Sequence, residues 1–228
     1  MPVKVDRELL QSQGLTQALD NYKIIITANG NGQKRMDDLA SSQQSLMTAS
    51  SSQIAAESIL DQRTLAKNSA IQSAKDAVAS VDEAAKSAFE DDPATQKTFR
   101  IGVVKPKSDE GWVTYLNYLT VPVHVNADAL IANGMSADDV ANFPNVYSNL
   151  VAAIAAQKNS KKVRNAATTT RDAALSALKK KVAATRNFAK AALKGNKAAL
   201  EEIKPIKSGG RKSSKPVPPA PEPASPQK

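Results

Sequence analysis

Cysteine is absent from this 228-residue chain, histidine occurs once, and aromatic residues reach only 4%. Without cysteine there are no disulfides, thiolate zinc sites, iron–sulfur clusters or covalently attached haem. The single histidine, His124, sits among valines in VPVHVN and reads as a packing or surface residue rather than a catalytic base. The Glu-x-x-His pairs that build di-iron sites in four-helix bundles are missing. No glycine-rich loop precedes a Lys-Ser/Thr pair, so a P-loop phosphate cradle is unsupported. The sequence therefore presents no catalytic residue, no cofactor, no metal site and no small-molecule substrate, and reads as non-enzymatic.

Long apolar runs are also lacking. Ile24–Ile26 and Val121–Val125 are far too short to span a bilayer, and MPVKVDRELLQSQG has no apolar stretch of signal-peptide length. A soluble cytoplasmic protein is the expectation.

What remains is alanine and charge. Hydrophobic residues make up 41% and charged residues 23%, a globular balance whose apolar share is dominated by alanine. Alanine loses no side-chain entropy in a helix and lets helices approach closely, so the expected fold class is all-α.

Some segments recur. ANGNGQKRMDDLA (28–40) is echoed by ANGMSADDVA (132–141), with Asp37, Asp38 and Ala40 opposite Asp138, Asp139 and Ala141 after a three-residue gap. Arg63 and Ala66 keep that register with Arg164 and Ala167. AAKSAFE (84–90) then matches FAKAALK (188–194), and Phe99 matches Ile203, at a spacing of 104. Self-similarity of this period predicts an internal duplication. The expected architecture is a helical bundle of two similar helical hairpins: residues 1–104, a basic second repeat at 105–204, and a disordered Pro/Lys-rich tail at 205–228.

In each repeat a first helix is predicted, over Val5–Ala28 and over Gly111–Ala132. Leu15, Leu19, Tyr22 and Ile26 form one apolar stripe. Asn29-Gly30 and Asn133-Gly134 supply the left-handed stop. Gly14 and Pro122 are expected kinks, and TVPVHV is compatible with an extended strand. Longer helices follow. Met36 to Phe89 holds no glycine or proline over 54 residues, and its partner runs from Ser136 to Leu193 with Pro144 near its start. SLMTASSSQ (45–53) and QKNSKK (157–162) are the places where a break or fray is expected, and the sequence leaves open whether either long helix is continuous. Leu175, Leu178, Val182 and Ala189, with Thr185 and Ala192, form a small-residue seam suited to antiparallel packing. Val103-Val104 in the connector is a further candidate for extended backbone.

The charge is unevenly placed. Residues 1–150 carry net −5 and residues 151–228 net +14. Within 158–197, twelve lysines and arginines face the single Asp172, whereas 57–93 carries net −4. Lys179, Lys180, Lys181, Arg186, Lys190, Lys194 and Lys197, continued by Arg211, Lys212 and Lys215, form a candidate polyanion surface. Its partner is an acidic protein surface or a second copy. The alternative is sequence-nonspecific nucleic acid held through 158–215, because only Phe188 is available for stacking and no base-reading motif is present. The competing account is a solvated, solubilising face.

Three acidic or aromatic groups have structural explanations. Asp37-Asp38 and Asp138-Asp139 are read as first-turn residues favoured by the helix dipole, rather than as a metal site. Glu90, Asp91 and Asp92 read as a solvated helix end. Trp112, Tyr115 and Tyr118 read as core.

The stretch ATTTRDAALSAL (167–178), its alanine-rich surroundings and the short Pro-rich ending resemble a group of bacterial proteins common in planctomycete-like genomes. The resemblance is best over about residues 110–215. It implies a helical fold and carries over no functional residue.

Overall fold

The computed structural model describes residues 3–205, and among these every regular element is α-helical. The order is α1 (Val3–Asn21), α2 (Lys23–Ala28), α3 (Gly32–Ala88), α4 (Pro93–Thr98), α5 (Asp109–Val125), α6 (Ala127–Ala132), α7 (Ala137–Ala192) and α8 (Lys197–Glu202). A medium helix, a short one, a very long one and another short one thus occur twice in succession. The expected 205–228 tail lies outside the described residues, apart from Pro205.

Local chemistry explains most of the boundaries. Gly30 (φ +44°) and Gly134 (φ +112°) follow Asn29 and Asn133 and turn the chain out of α2 and α6. Gly32 opens α3 because a Cβ there would lie 1.9 Å from the Ile26 carbonyl oxygen. Ser108 caps α5 by accepting from the Gly111 amide, Asn196 caps α8 from Ala199, and Asp92 caps α4 from Ala94 and Thr95 with Pro93 at its first turn. Ser136 and Asp139 close the start of α7, the Asp139 amide donating to Ser136 Oγ and that hydroxyl donating to Asp139 Oδ2.

Several expectations change. Neither long helix breaks: α3 runs 57 residues through SLMTASSSQ, and α7 runs 56 residues through QKNSKK and past Pro144. Serine has low helix propensity, but here Ser50 and Ser160 are buried in the helix pairing, and tertiary packing overrides the weak local preference. The first helices break neither at Gly14 nor at Pro122. They divide at Tyr22 (φ −116°) and Asn126 (φ −108°), two positions 104 residues apart. TVPVHV is helical, since Pro122 is accommodated inside α5, and Val103-Val104 lies in irregular chain.

The chain packs as two compact units that cut across the 104/105 boundary. Unit 1 gathers the residues up to Ser41 with those from Leu178 onward, and unit 2 is Ser42–Ala177. Both α3 and α7 contribute to each. In unit 1, Asp38 meets Lys181 and Arg35 lies over Phe188, so the two helices run antiparallel there. In unit 2, Gln53 meets Arg171 and Thr64 meets Gln157, again antiparallel.

The buried positions recur at one spacing. Leu15 and Leu119, Leu19 and Val123, Ile26 and Leu130, Leu39 and Phe143, Leu46 and Leu150, Val78 and Val182, and Phe99 and Ile203 are all buried, each pair 104 apart. The three-residue shift that aligned Asp37 with Asp138 is not followed by burial. Unit 2 has a core of Val78, Val81, Ala85, Phe99, Trp112, Leu116, Leu119, Leu130 and Phe143 among others. Unit 1 buries Leu15, Leu19, Ile26, Leu39, Leu178, Val182, Thr185, Ala189 and Ile203. The Leu178–Val182–Thr185–Ala189 seam is as expected, with Leu175 and Ala192 half-buried at its ends.

Candidate functional site

The two units differ in charge, though less than the two parts of the sequence do. The described part of unit 1 holds thirteen lysines and arginines against seven aspartates and glutamates, whereas unit 2 holds thirteen against fourteen. The net positive charge of the described chain is therefore a property of unit 1.

The candidate residues separate into three groups. Lys179, Lys180, Lys190, Lys194 and Lys197 are exposed and make no ion pair among the described residues. Lys179 and Lys190 stand three turns apart on α7, about 16 Å at 1.5 Å per residue, outside the Val182–Thr185–Ala189 seam. Lys194 and Lys197 continue the basic run across the turn at Gly195 (φ +97°) into α8.

Two others are committed to the fold. Lys181 Nζ lies 2.7 Å from Asp38 Oδ2. Hydrogen bonds from Lys181 and then Lys34 hold the Asp38 carboxyl below its ordinary pKa. Arg186 turns inward, its Nε donating to the Ile203 carbonyl at 3.0 Å, where it caps the end of α8. Burial lowers its guanidinium pKa, with Glu8 opposing that effect. Arg211, Lys212 and Lys215 lie outside the described residues.

The stacking candidate is also engaged, since Phe188 carries Arg35 5.1 Å above its ring. Basic residues of 158–197 in unit 2 are partly neutralised. Lys158 pairs with Glu110 at 2.9 Å, and this lowers the Glu110 pKa and raises that of Lys158. Arg171 pairs with Asp172 and donates to Gln53.

The repeated aspartates are not a pair of equivalents. Asp138 and Asp139 occupy the first turn of α7 as expected. Asp37 and Asp38 lie beyond the first turn of α3, where they accept from Gln33 and from Lys34 and Lys181. Among the described residues no three His, Asp or Glu side chains converge as metal ligands. Asp92 of the acidic triplet caps α4, Trp112 and Tyr115 are buried, and Tyr118 and His124 are exposed.

A second charged cluster, in unit 2, has no sequence signature. Lys105 Nζ lies 2.7 Å from Asp82 Oδ2 and 2.6 Å from the Tyr115 hydroxyl. Burial depresses the Lys105 pKa, but the Asp82 and Tyr115 hydrogen bonds outweigh it, so the ammonium titrates above its ordinary value. Lys105 is thus a charged clamp that holds the connector to Asp82 and Tyr115. The Arg100 guanidinium lies 5.7 Å from the ring centroid of Tyr115 and 4.0 Å from that of Tyr118.

No helix among the described residues is long and apolar enough to cross a membrane. Comparison with known proteins finds no protein family, no curated protein and no solved structure that matches the chain.

Proposed function

We propose that the protein is a non-enzymatic interaction module whose unit 1 surface, at the C-terminal end of α7 and the turn into α8, contacts an acidic protein partner. The observation that carries this reading is that Lys179, Lys180, Lys190, Lys194 and Lys197 remain exposed and unpaired while neighbouring Lys181 and Arg186 are used by the fold. A surface of this kind steers an oppositely charged partner and sets its on-rate, each exposed contact adding only about 0–1 kcal/mol.

The second reading is sequence-nonspecific nucleic-acid binding through the same lysines. Engagement of Phe188 by Arg35 favours a purely electrostatic mode without base stacking. Six to ten phosphate contacts would make affinity fall about 10³–10⁵-fold between 50 and 200 mM salt. Titrating labelled poly-glutamate and labelled duplex DNA separately, at both salt concentrations, separates the readings. Preference for poly-glutamate supports the protein partner, and preference for DNA with the steeper salt slope supports nucleic acid. Absence of binding to either at 50 mM removes both.

The 104-residue recurrence of elements and buried positions supports descent from a duplicated helical hairpin, one copy of which became basic. Under this reading the charge difference between residues 1–104 and 105–204 is an acquired feature of the second copy.

A further inference from the structure

Unit 2 has an open groove of about 580 Å³ between the end of α4 and α5. This is within the range of small-molecule pockets, about 300–1,000 Å³. Its wall is largely apolar, formed by Tyr118, Val121, Pro122 and Val125 together with the polar Thr98, Asn117 and Asn126. Val121 and Val125 are 66% and 73% exposed, an unusual arrangement for two valines on successive turns of one helix face.

The groove is not a by-product of the helix arrangement. At the positions 104 earlier, unit 1 has Gly14, Gln17, Ala18, Asn21 and Tyr22, and Glu202 stands where unit 2 has Thr98. There Asn21 Nδ2 and the Tyr22 hydroxyl both donate to Glu202, at 3.1 and 2.9 Å, and bridge the two helices. At the corresponding positions unit 2 has Val125, Asn126 and Thr98, which make no such bridge, and the space beside Val121 and Pro122 is open.

A cation stands beside it. Arg100 is the one non-glycine residue with positive φ (+54°) among the described residues. It occupies the left-handed position after α4, where the Arg100 and Ile101 amides donate to the Lys97 and Gln96 carbonyls, a position that glycine fills without strain. Its guanidinium lies over the ring of Tyr118, a groove wall, and among the described residues it has no carboxylate partner. A guanidinium stacked by its faces still presents its N–H edge, the geometry that takes a carboxylate by two parallel hydrogen bonds.

We infer that this groove is a binding site for an amphipathic carboxylate, its aliphatic chain lying along Tyr118, Val121 and Val125 and its head group held by the edge of Arg100. The site is independent of the basic surface on unit 1. It accounts for three features together: the exposed valines, the strained arginine and the absence from unit 2 of the bridge present in unit 1.

Decanoate, kept below its micelle concentration and titrated into the full chain, tests the assignment. Trp112, the only tryptophan, packs edge-on against Tyr115 beside Arg100 and reports occupancy by its emission, with calorimetry as an independent readout. Decanoate should bind saturably, about tenfold or more tighter than decanol, with decyltrimethylammonium weaker still. Arg100→Gln should reduce decanoate to the level of decanol. Val125→Asp, at an exposed position that tolerates a charge, should abolish binding of all three while leaving the thermal melt near that of the parent. The inference is overturned if decanoate shows no saturable binding, if it binds no tighter than decanol or the ammonium, or if the folded Arg100→Gln or Val125→Asp protein binds it as the parent does.

Discussion

Lys181 and Asp38 join α7 to α3 in unit 1 through a 2.7 Å contact, and the same carboxylate also meets Lys34 at 3.4 Å. The carboxyl pKa is held below its ordinary value, first by the Lys181 hydrogen bond and then by that of Lys34. A depressed carboxyl stabilises the fold above the unfolded-state pKa, and this contribution disappears as pH falls through the folded-state value. Asp38→Asn should therefore melt below the parent at neutral pH and converge with it in strong acid. Melts followed by circular dichroism across that range check this, and added salt should shrink the gap.

The Asp82–Lys105 pair in unit 2 should behave as a coupled unit. Asp82 is 16% exposed, and its Oδ1 has no hydrogen-bond partner, so removing Lys105 strands a largely buried carboxylate. Lys105→Met should cost about 2 kcal/mol, below the 3–5 kcal/mol of a fully buried pair because the lysine is partly exposed. Asp82→Leu combined with Lys105→Met should recover most of that loss. A double-mutant cycle by urea unfolding measures the coupling.

Arg100 separates strain from stacking. Arg100→Ala keeps the left-handed backbone and loses the contact with Tyr118, whereas Arg100→Gly loses the contact but relieves the backbone. The glycine variant should be more stable than the alanine variant by about 1 kcal/mol. Equal stabilities would show that the left-handed conformation carries no cost here.

Ser50 is buried in α3, and its hydroxyl has no hydrogen-bond partner. The position 104 later holds Ile154, also buried. Ser50→Ala should raise stability by about 1 kcal/mol, since it removes an unsatisfied polar group and introduces a better helix former. Denaturant unfolding with an unchanged slope would establish the gain.

The all-α fold, both Asn-Gly stops and the small-residue seam were legible because each depends on local chemistry: alanine content, left-handed tolerance and helical spacing. The continuity of α3 and α7 was not. Serine runs argue for breaks on propensity alone, and only pairing within the units shows Ser50, Gln53, Gln157 and Ser160 to be interior. The Asp37–Asp38 match to Asp138–Asp139 rests on identical letters at a spacing of 101, whereas the buried positions recur at 104. The basic surface was visible as composition, but the inward turn of Arg186 and the use of Lys181 depend on partners 17 and 143 residues away. The groove was invisible for a similar reason. Val121 and Val125 read as ordinary apolar helix residues until the wall that would cover them is found open.

The most direct test of the basic-surface reading is charge reversal. Lys179→Glu, Lys180→Glu and Lys190→Glu together leave the Asp38–Lys181 contact and the Arg186 cap in place, so the fold should persist. Anisotropy of labelled poly-glutamate at 50 mM salt should show binding by the parent and a loss of at least tenfold in the triple variant. Equal affinity of the folded triple variant and the parent would contradict the account.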